Sequence, residues 1–163
     1  MHEWNEMHGA LTLQLIARSG AVVREQQVTN RIVTSGRQLV AQLFAGQAGG
    51  VPPTQVTHLA VGTGATAPAD GDKTLVAERA PRQKISNVDY SEITETTGGS
   101  EVRRVRARMT AVFDFGDANG ADPLREAGIF TADANGVMYN RVVFDPVTKT
   151  NAFKLTLLWD VVF

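Results

Sequence analysis

The chain is predicted to be mainly β, either an antiparallel β-sandwich or a jelly-roll-like barrel, with one short helix. Two stretches with a period of two carry this prediction. From Ala152 to Phe163 apolar residues occupy alternate positions, and Glu101 to Phe115 alternates in the same way with arginines opposite its apolar face. Such a period directs every second side chain to one face of a sheet. Two half-covered sheets must bury their apolar faces against each other, which favours two packed layers.

Shorter strands fill the rest of the chain and bring the predicted count to seven or eight. Further strands are expected at residues 10–27 (as a hairpin), 58–61, 83–91, 124–131 and 137–144. Asn135-Gly136 is a strong turn signal between the last two of these. Glu92 to Ser100 reads as an exposed hairpin tip, and Asp145-Pro146 is expected to break the chain before the final strand.

One helix is predicted before residue 46. Thr34 or Ser35 is placed to cap it, and Ser35 followed by Gln38 has the spacing of a capping box. Gly46 is expected to end the helix. The apolar stripe that would pack on the sheet consists of Leu39, Val40, Leu43 and Phe44.

The predicted organisation is an N-terminal arm at residues 1–9 followed by a single sandwich domain at residues 10–163. A long loop at about residues 62–82 interrupts the domain, and loops of this length are usually functional or ordered by a partner. The arm carries Trp4 and Met7, residue types that are enriched at interface cores; it is either a frayed leader or a contact with another subunit.

The composition and net charge of the chain argue against several classes of protein. The chain has 163 residues, no cysteine and a formal net charge of -1, so no disulfide framework and no overall basic footprint for nucleic acid is expected. No stretch approaches the length of an apolar membrane span, and residues 1–8 lack the plan of a signal peptide. We therefore expect a soluble protein made in the cytoplasm, with no nucleic-acid, membrane or small-molecule partner.

Motifs that would indicate catalysis or cofactor binding are weak. Gly62-Thr-Gly64 follows a strand but lacks the third glycine and the helix of a dinucleotide loop, so close turning of the backbone explains it better. Asp114-Phe-Gly116 has none of the companion motifs of a kinase. His58 is the histidine that a catalytic triad would have to use, and it lies in an apolar strand. No enzyme, cofactor or catalytic residue is predicted.

Metal sites are equally poorly supported. Asp117, Asn119 and Asp122 hint at a calcium loop, but no glutamate closes it. His2 and His8 flank two glutamates at a spacing that fits no metal template. No metal site is predicted.

The charge pattern that stands out is an arginine stripe on the strand at residues 101–115, with Arg104, Arg106 and Arg108 on one face. These arginines either pair with carboxylates of a neighbouring strand or contact another subunit, because a guanidinium binds carboxylates through two parallel bonds. Phosphate contact ranks third. The residues predicted as subunit contacts are Trp4, Met7, Arg79, Arg82, Arg104, Arg106 and Arg108.

A resemblance extends over most of the chain. Leu59 to Pro68 (Leu-Ala-Val-Gly-Thr-Gly-Ala-Thr-Ala-Pro), then Thr74 to Glu78 and Arg82, resemble a pattern in virion proteins of tailed bacteriophages, chiefly attachment domains of tail-fibre and baseplate-associated proteins. The same likeness continues through Asn30–Gly36, Glu126–Phe130, Gly136–Tyr139, Lys149 and Leu155–Trp159.

The resemblance implies a structural component of a tailed phage or phage-tail-like particle, located in the virion and made in the host cytoplasm. It implies symmetric assembly with copies of itself and with other virion proteins. The chain stops at Phe163 without a shaft, which we expect to favour a tail, baseplate or collar adaptor or a fibre-attachment protein. A capsid decoration protein is the alternative. A carbohydrate-binding sandwich is less favoured, since the aromatic residues of the last strand lie on the expected core face.

Overall fold

The computed structural model describes residues 6–47 and 49–163, apart from the side chain of Ala80. This part of the chain forms ten strands and one helix: β1 (His8–Ala17), β2 (Val22–Thr29), β3 (Arg31–Ile32), α1 (Thr34–Ala45), β4 (His58–Gly62), β5 (Glu78–Lys84), β6 (Asn87–Thr97), β7 (Ser100–Phe113), β8 (Leu124–Phe130), β9 (Met138–Val147) and β10 (Phe153–Val162). Within these residues no helix has the length and hydropathy needed to cross a membrane.

The strands form two five-stranded antiparallel sheets, which confirms the predicted β-sandwich. The first sheet has the order β2-β1-β10-β7-β6, and the second has the order β3-β9-β8-β4-β5. The last strand, β10, lies at the centre of the first sheet, where Trp159 pairs with Leu11 on β1 and with Met109 on β7. The strand with the clearest alternation of apolar residues in the sequence is therefore the central strand of the first sheet.

The main core lies between the two sheets. Alternate residues of β1, β7 and β10 meet the inner residues of β4, β8 and β9, and Trp159 and Phe113 are completely buried there. A smaller second core lies on the outer face of the second sheet, where Phe130 and Met138 pack with Leu75 of the long loop and with Val33. Strand β8 is thus buried on both faces, so the sequence around Ile129 and Phe130 is continuously apolar.

The helix was predicted in the right place but with the wrong cap and with Phe44 wrongly included in its packing face. Val33, which has no polar side-chain atom, occupies the N-cap position, and the Ser35 hydroxyl instead donates to the Met138 carbonyl at 2.7 Å. Leu39 is buried, whereas Phe44 is 93% exposed. Gly46 ends the helix with a positive φ of 78°, as predicted.

Several boundaries were also wrong: the loop predicted at about residues 62–82 ends where β5 begins at Glu78, and the strand predicted at residues 83–91 is divided between β5 and β6. Residues 92–97, expected in a hairpin tip, continue strand β6, and the tip itself is Gly98-Gly99, where both φ angles are positive. Asp145-Pro146 does not break the chain but lies inside the end of β9, where a missing N–H is tolerated. Strand β1 begins at His8, so two residues assigned to the arm belong to the sheet.

Candidate functional site

A buried carboxylate on β8 organises the long loop between β4 and β5. Glu126 is completely buried, and its Oε1 accepts hydrogen bonds from the backbone N–H groups of Gly64 (3.1 Å) and Ala77 (2.7 Å). Its Oε2 accepts from the Val76 N–H at 3.1 Å. One side chain therefore holds the beginning and the end of the loop together, since residues 64 and 76–77 lie at opposite ends of it.

Arg141 on β9 completes this clamp. It is also completely buried, and its Nε donates to Glu126 Oε2 at 2.8 Å. Its two terminal nitrogens reach into the middle of the loop, to Asp72 Oδ2 at 3.0 Å and to the Thr66 carbonyl at 2.8 Å. We call Glu126 and Arg141 the loop clamp. Charge-assisted hydrogen bonds within the chain therefore fix the shape of the loop, which was predicted to be either functional or ordered by a partner.

The loop clamp also explains the two glycines after β4. A Cβ atom on Gly64 would lie 2.5 Å from Glu126 Oε1 and 2.6 Å from the Val76 Cβ, and one on Gly62 would lie 2.5 Å from the Ala77 carbonyl oxygen. Neither glycine has a positive φ. Close approach of the carboxylate and the returning chain, rather than the sharp backbone turning predicted from the sequence, requires glycine at both positions.

The two arginines that end the loop also bond within the chain. Arg82 binds both carboxylate oxygens of Glu78 at 2.7 and 3.0 Å, donates to the Ala132 and Asn135 carbonyls, and places its guanidinium 3.6 Å from the centre of the Phe130 ring. Arg79 donates to the carbonyls of Ala118 and Asp122. Both side chains therefore tie β5 to neighbouring loops.

A buried ammonium group occupies the region where the sequence hinted at a calcium loop. Lys149 is completely buried, and its Nζ donates to Asn119 Oδ1 (2.9 Å), to the Asp114 carbonyl (2.8 Å) and to the Thr150 carbonyl (3.2 Å). Burial lowers the pKa of Lys149, and the nearby carboxylates of Asp117 and Asp114 oppose that shift. The lysine thus supplies the positive charge that a structural cation would supply.

The arginine stripe on β7 pairs with its neighbouring strands. Arg108 binds both carboxylate oxygens of Asp160 on β10 at 2.7 Å, which raises the pKa of Arg108 through the hydrogen bond. Arg104 lies 3.0 Å from Glu95 on β6, and Arg106 donates to Ser91 at 3.2 Å. These contacts are the pairing with adjacent strands that the sequence left open.

An apolar groove of about 300 Å³ opens between the helix and the end of the first sheet. Its walls are formed by Leu39 and Leu43 from the helix, Val88 and Tyr90 from β6, and Val161 and Phe163 at the end of the chain. Tyr139 also lines it, and burial raises the pKa of this tyrosine well above its usual value. Leu43, Val88 and Phe163 are about half exposed, and Tyr90 is 74% exposed.

The remaining predicted contact residues lie in separate places. Trp4 lies outside the described residues, and Met7 is half-buried against the main core. Arg79 and Arg82 lie on the second sheet and the β7 arginines on the first, so the six residues of this set that the structure describes do not form one cluster. Their role as subunit contacts stays a prediction.

Residues of catalytic type do not form a cluster in the described part of the chain. His58 contacts Thr57 Oγ1 through Nδ1 at 2.8 Å and pairs with Phe130 across strands. Among residues 6–47 and 49–163 no group of three or more histidine, aspartate or glutamate side chains is arranged to hold a metal ion. Comparison of the chain with protein-family models, with curated proteins and with solved structures gives no match in any of the three.

Proposed function

We propose that the chain is a structural component of a tailed phage or phage-tail-like particle, a tail, baseplate or collar adaptor or a fibre-attachment protein. It acts by symmetric assembly with copies of itself and with other virion proteins, and it catalyses no reaction. The observation that carries the proposal is the convergence of the residues on which the phage resemblance rests. Gly62, Gly64, Glu126 and the segment before Arg82 lie far apart in sequence, and they meet at the loop clamp.

This convergence matters because it gives the resemblance a physical basis. Short degenerate motifs arise by chance in unrelated sequences. Chance gives no reason, however, for three such motifs to contact one another in the fold, and these are Gly62-Thr-Gly64, Val76-Ala-Glu78 and Glu126-Ala-Gly128. The arrangement fixes the loop between β4 and β5, residues 63–77, rigidly on a sandwich. A rigid surface loop suits repeated contacts with neighbours, since little conformational entropy is lost when such a surface binds.

Exposed apolar residues supply a further reason to expect neighbours. Leu43, Val88 and Phe163 are about half exposed and Tyr90 is 74% exposed, and these four side chains line the same apolar groove. Large exposed apolar patches are typical of interaction sites. Aromatic residues are also the commonest anchors of protein interfaces.

An antibody raised against the recombinant chain tests the proposal directly. Particles from the organism that encodes the chain are labelled and imaged by electron microscopy. We expect label at the neck or at the tail end. Label spread over the head would replace the tail role with the capsid decoration role, and particles without label would overturn the virion proposal.

A further inference from the structure

We propose that two copies of this chain associate through the apolar groove, with Phe44 of each copy inserted into the groove of the other. The contact is a two-fold dimer, in which both copies use the same surface. The inference rests on the self-assembly in the proposed function and on no other part of it. Three features of the molecule support the dimer: the uncovered inner face of β6, the position of Phe44 beside the groove, and the apolar area that is exposed there.

Strand β6 carries apolar side chains on a face that the second sheet does not cover. Val88 pairs with Met109 of β7, and Tyr90 pairs with Ala107, so these four side chains lie on the inner face of the first sheet. Met109 and Ala107 are buried, whereas Val88 is about half exposed and Tyr90 is mostly exposed. Because β6 is the edge strand of its sheet, the covering layer ends before it. The inner face of β6 is thus an apolar surface without a second layer.

The helix forms the opposite wall of the groove and carries Phe44 just beyond it. Leu39, Val40 and Leu43 line the groove. Phe44 follows Val40 by four residues, and residues four apart lie on the same face of a helix. The Phe44 ring therefore extends the apolar stripe that lines the groove. Since this side chain is 93% exposed, it does not fill the groove of its own chain but projects from the rim.

The groove is large enough for such a ring. Its volume is about 300 Å³, and an apolar cavity of about 150 Å³ holds a benzene molecule. The projecting ring and the groove lie side by side on the same end of the molecule. A two-fold axis between two copies therefore places each ring in the groove of the other copy, and the assembly closes at two. A second copy of the chain carries both halves of this contact, so we infer that it is the occupant.

The exposed apolar area agrees with a dimer interface. The patch consists of four groove residues, of Phe44, and of Val105, whose backbone pairs with that of Phe163: Leu43, Phe44, Val88, Tyr90, Val105 and Phe163. An aromatic side chain offers about 150–250 Å² and an aliphatic one about 60–120 Å², so their exposed fractions leave roughly 400–700 Å². Apolar atoms make up about 65% of a homodimer interface. The patch therefore suits an interface of about 600–1,100 Å² per copy, and stable interfaces cover about 800 Å² on each partner.

Sedimentation equilibrium of the purified full chain tests the dimer. We expect the mass of two chains at micromolar concentrations and the mass of one chain on dilution. F44K removes the projecting ring, Y90E places a charge on the wall of the groove, and each should raise the Kd of the dimer at least about ten-fold. V23K is the control, because Val23 is half exposed on β2 at the opposite edge of the first sheet, and it should leave the Kd unchanged. Circular dichroism establishes that all three variants keep the fold.

Mixing two of these variants tests the reciprocal insertion itself. In a mixed pair, Phe44 of the Y90E copy enters the intact groove of the F44K copy. At the second contact the introduced lysine faces the introduced glutamate, and opposite charges attract. F44K and Y90E should therefore form a dimer together at a concentration where neither variant forms one alone.

Three results would overturn the proposal. One is a parent chain that has the mass of a single chain at every concentration. Another is a dimer that survives F44K and Y90E as well as it survives V23K, because the copies would then meet through another surface. The third is a mixture of F44K and Y90E that stays monomeric. All three concern the purified chain in solution, so they are distinct from a failure of the virion proposal, which the labelled particles test.

Discussion

Replacing Glu126 by glutamine tests the loop clamp, because the substitution keeps the size of the side chain and removes its charge. Oε1 serves the Gly64 and Ala77 amides, and Oε2 serves Val76 and Arg141. In either orientation of the glutamine side chain, the NH2 group replaces an oxygen that accepts two hydrogen bonds. The NH2 group then faces two N–H donors.

The expected cost of E126Q follows from this geometry. Each buried donor left without an acceptor costs about 1–3 kcal/mol. Loss of one member of a buried ion pair costs about 3–5 kcal/mol in total. A domain is stable by about 5–15 kcal/mol, so we expect E126Q to fold at 25 °C but to unfold at clearly lower urea concentrations.

Urea unfolding followed by Trp159 fluorescence in a W4F background measures this loss. Hydrogen exchange of the Val76 and Ala77 amides reports the loop separately, and both should exchange faster in E126Q. R141M should also destabilise the chain, and the double variant should lose less than the sum of the two single losses, because neither partner is then left alone. The exposed Arg31–Asp70 pair is the control, and D70N should change little. A loss below about 1 kcal/mol in E126Q, or strict additivity, would refute the clamp.

Three further predictions concern single groups. G64A should destabilise the chain by several-fold more than G71A in the same urea assay, since a Cβ at Gly64 meets Glu126 whereas one at Gly71 meets nothing within 4 Å; equal effects would contradict this. K149M should cost about 1–3 kcal/mol because it removes the buried ammonium group and its three partly buried hydrogen bonds, and an unchanged midpoint would contradict it. Burial raises the pKa of Tyr139 above its unfolded value of about 10, so stability should fall as the pH rises beyond 10. In a Y90F background tyrosinate absorbance should appear only with unfolding, and its appearance in the folded chain would contradict the buried hydroxyl.

The sheets were predictable because their signal is local. The alternation of apolar and polar residues along β7 and β10 can be read from consecutive residues, because successive side chains of a half-buried strand lie on opposite faces of the sheet. The same reasoning placed the hairpin of β1 and β2. It missed the division between β5 and β6, because exposed edge residues such as those around Glu92 show little alternation of polarity.

The loop clamp was not predictable in the same way. Glu126 contacts both Gly64 and Arg141 across the second sheet, and no local pattern encodes contacts between such distant segments. One signal was present: Arg141 is the one charged residue in the mainly apolar run from Val137 to Phe144, and a buried arginine requires a partner. Phe44 was assigned to the packing face of the helix for a related reason, since the amphipathic pattern does not reveal how much of the stripe the sheet covers.

Mass spectrometry of gradient-purified particles tests the central claim, that this chain is a structural part of a virion, most directly. Particles would be prepared from the organism that encodes the chain, and the copy number of the chain would be measured against the major tail and head proteins. A structural role predicts that the chain co-purifies with intact particles at a fixed number of copies and stays after a high-salt wash. Recovery of the chain only in the soluble fraction, with none in washed particles, would contradict it.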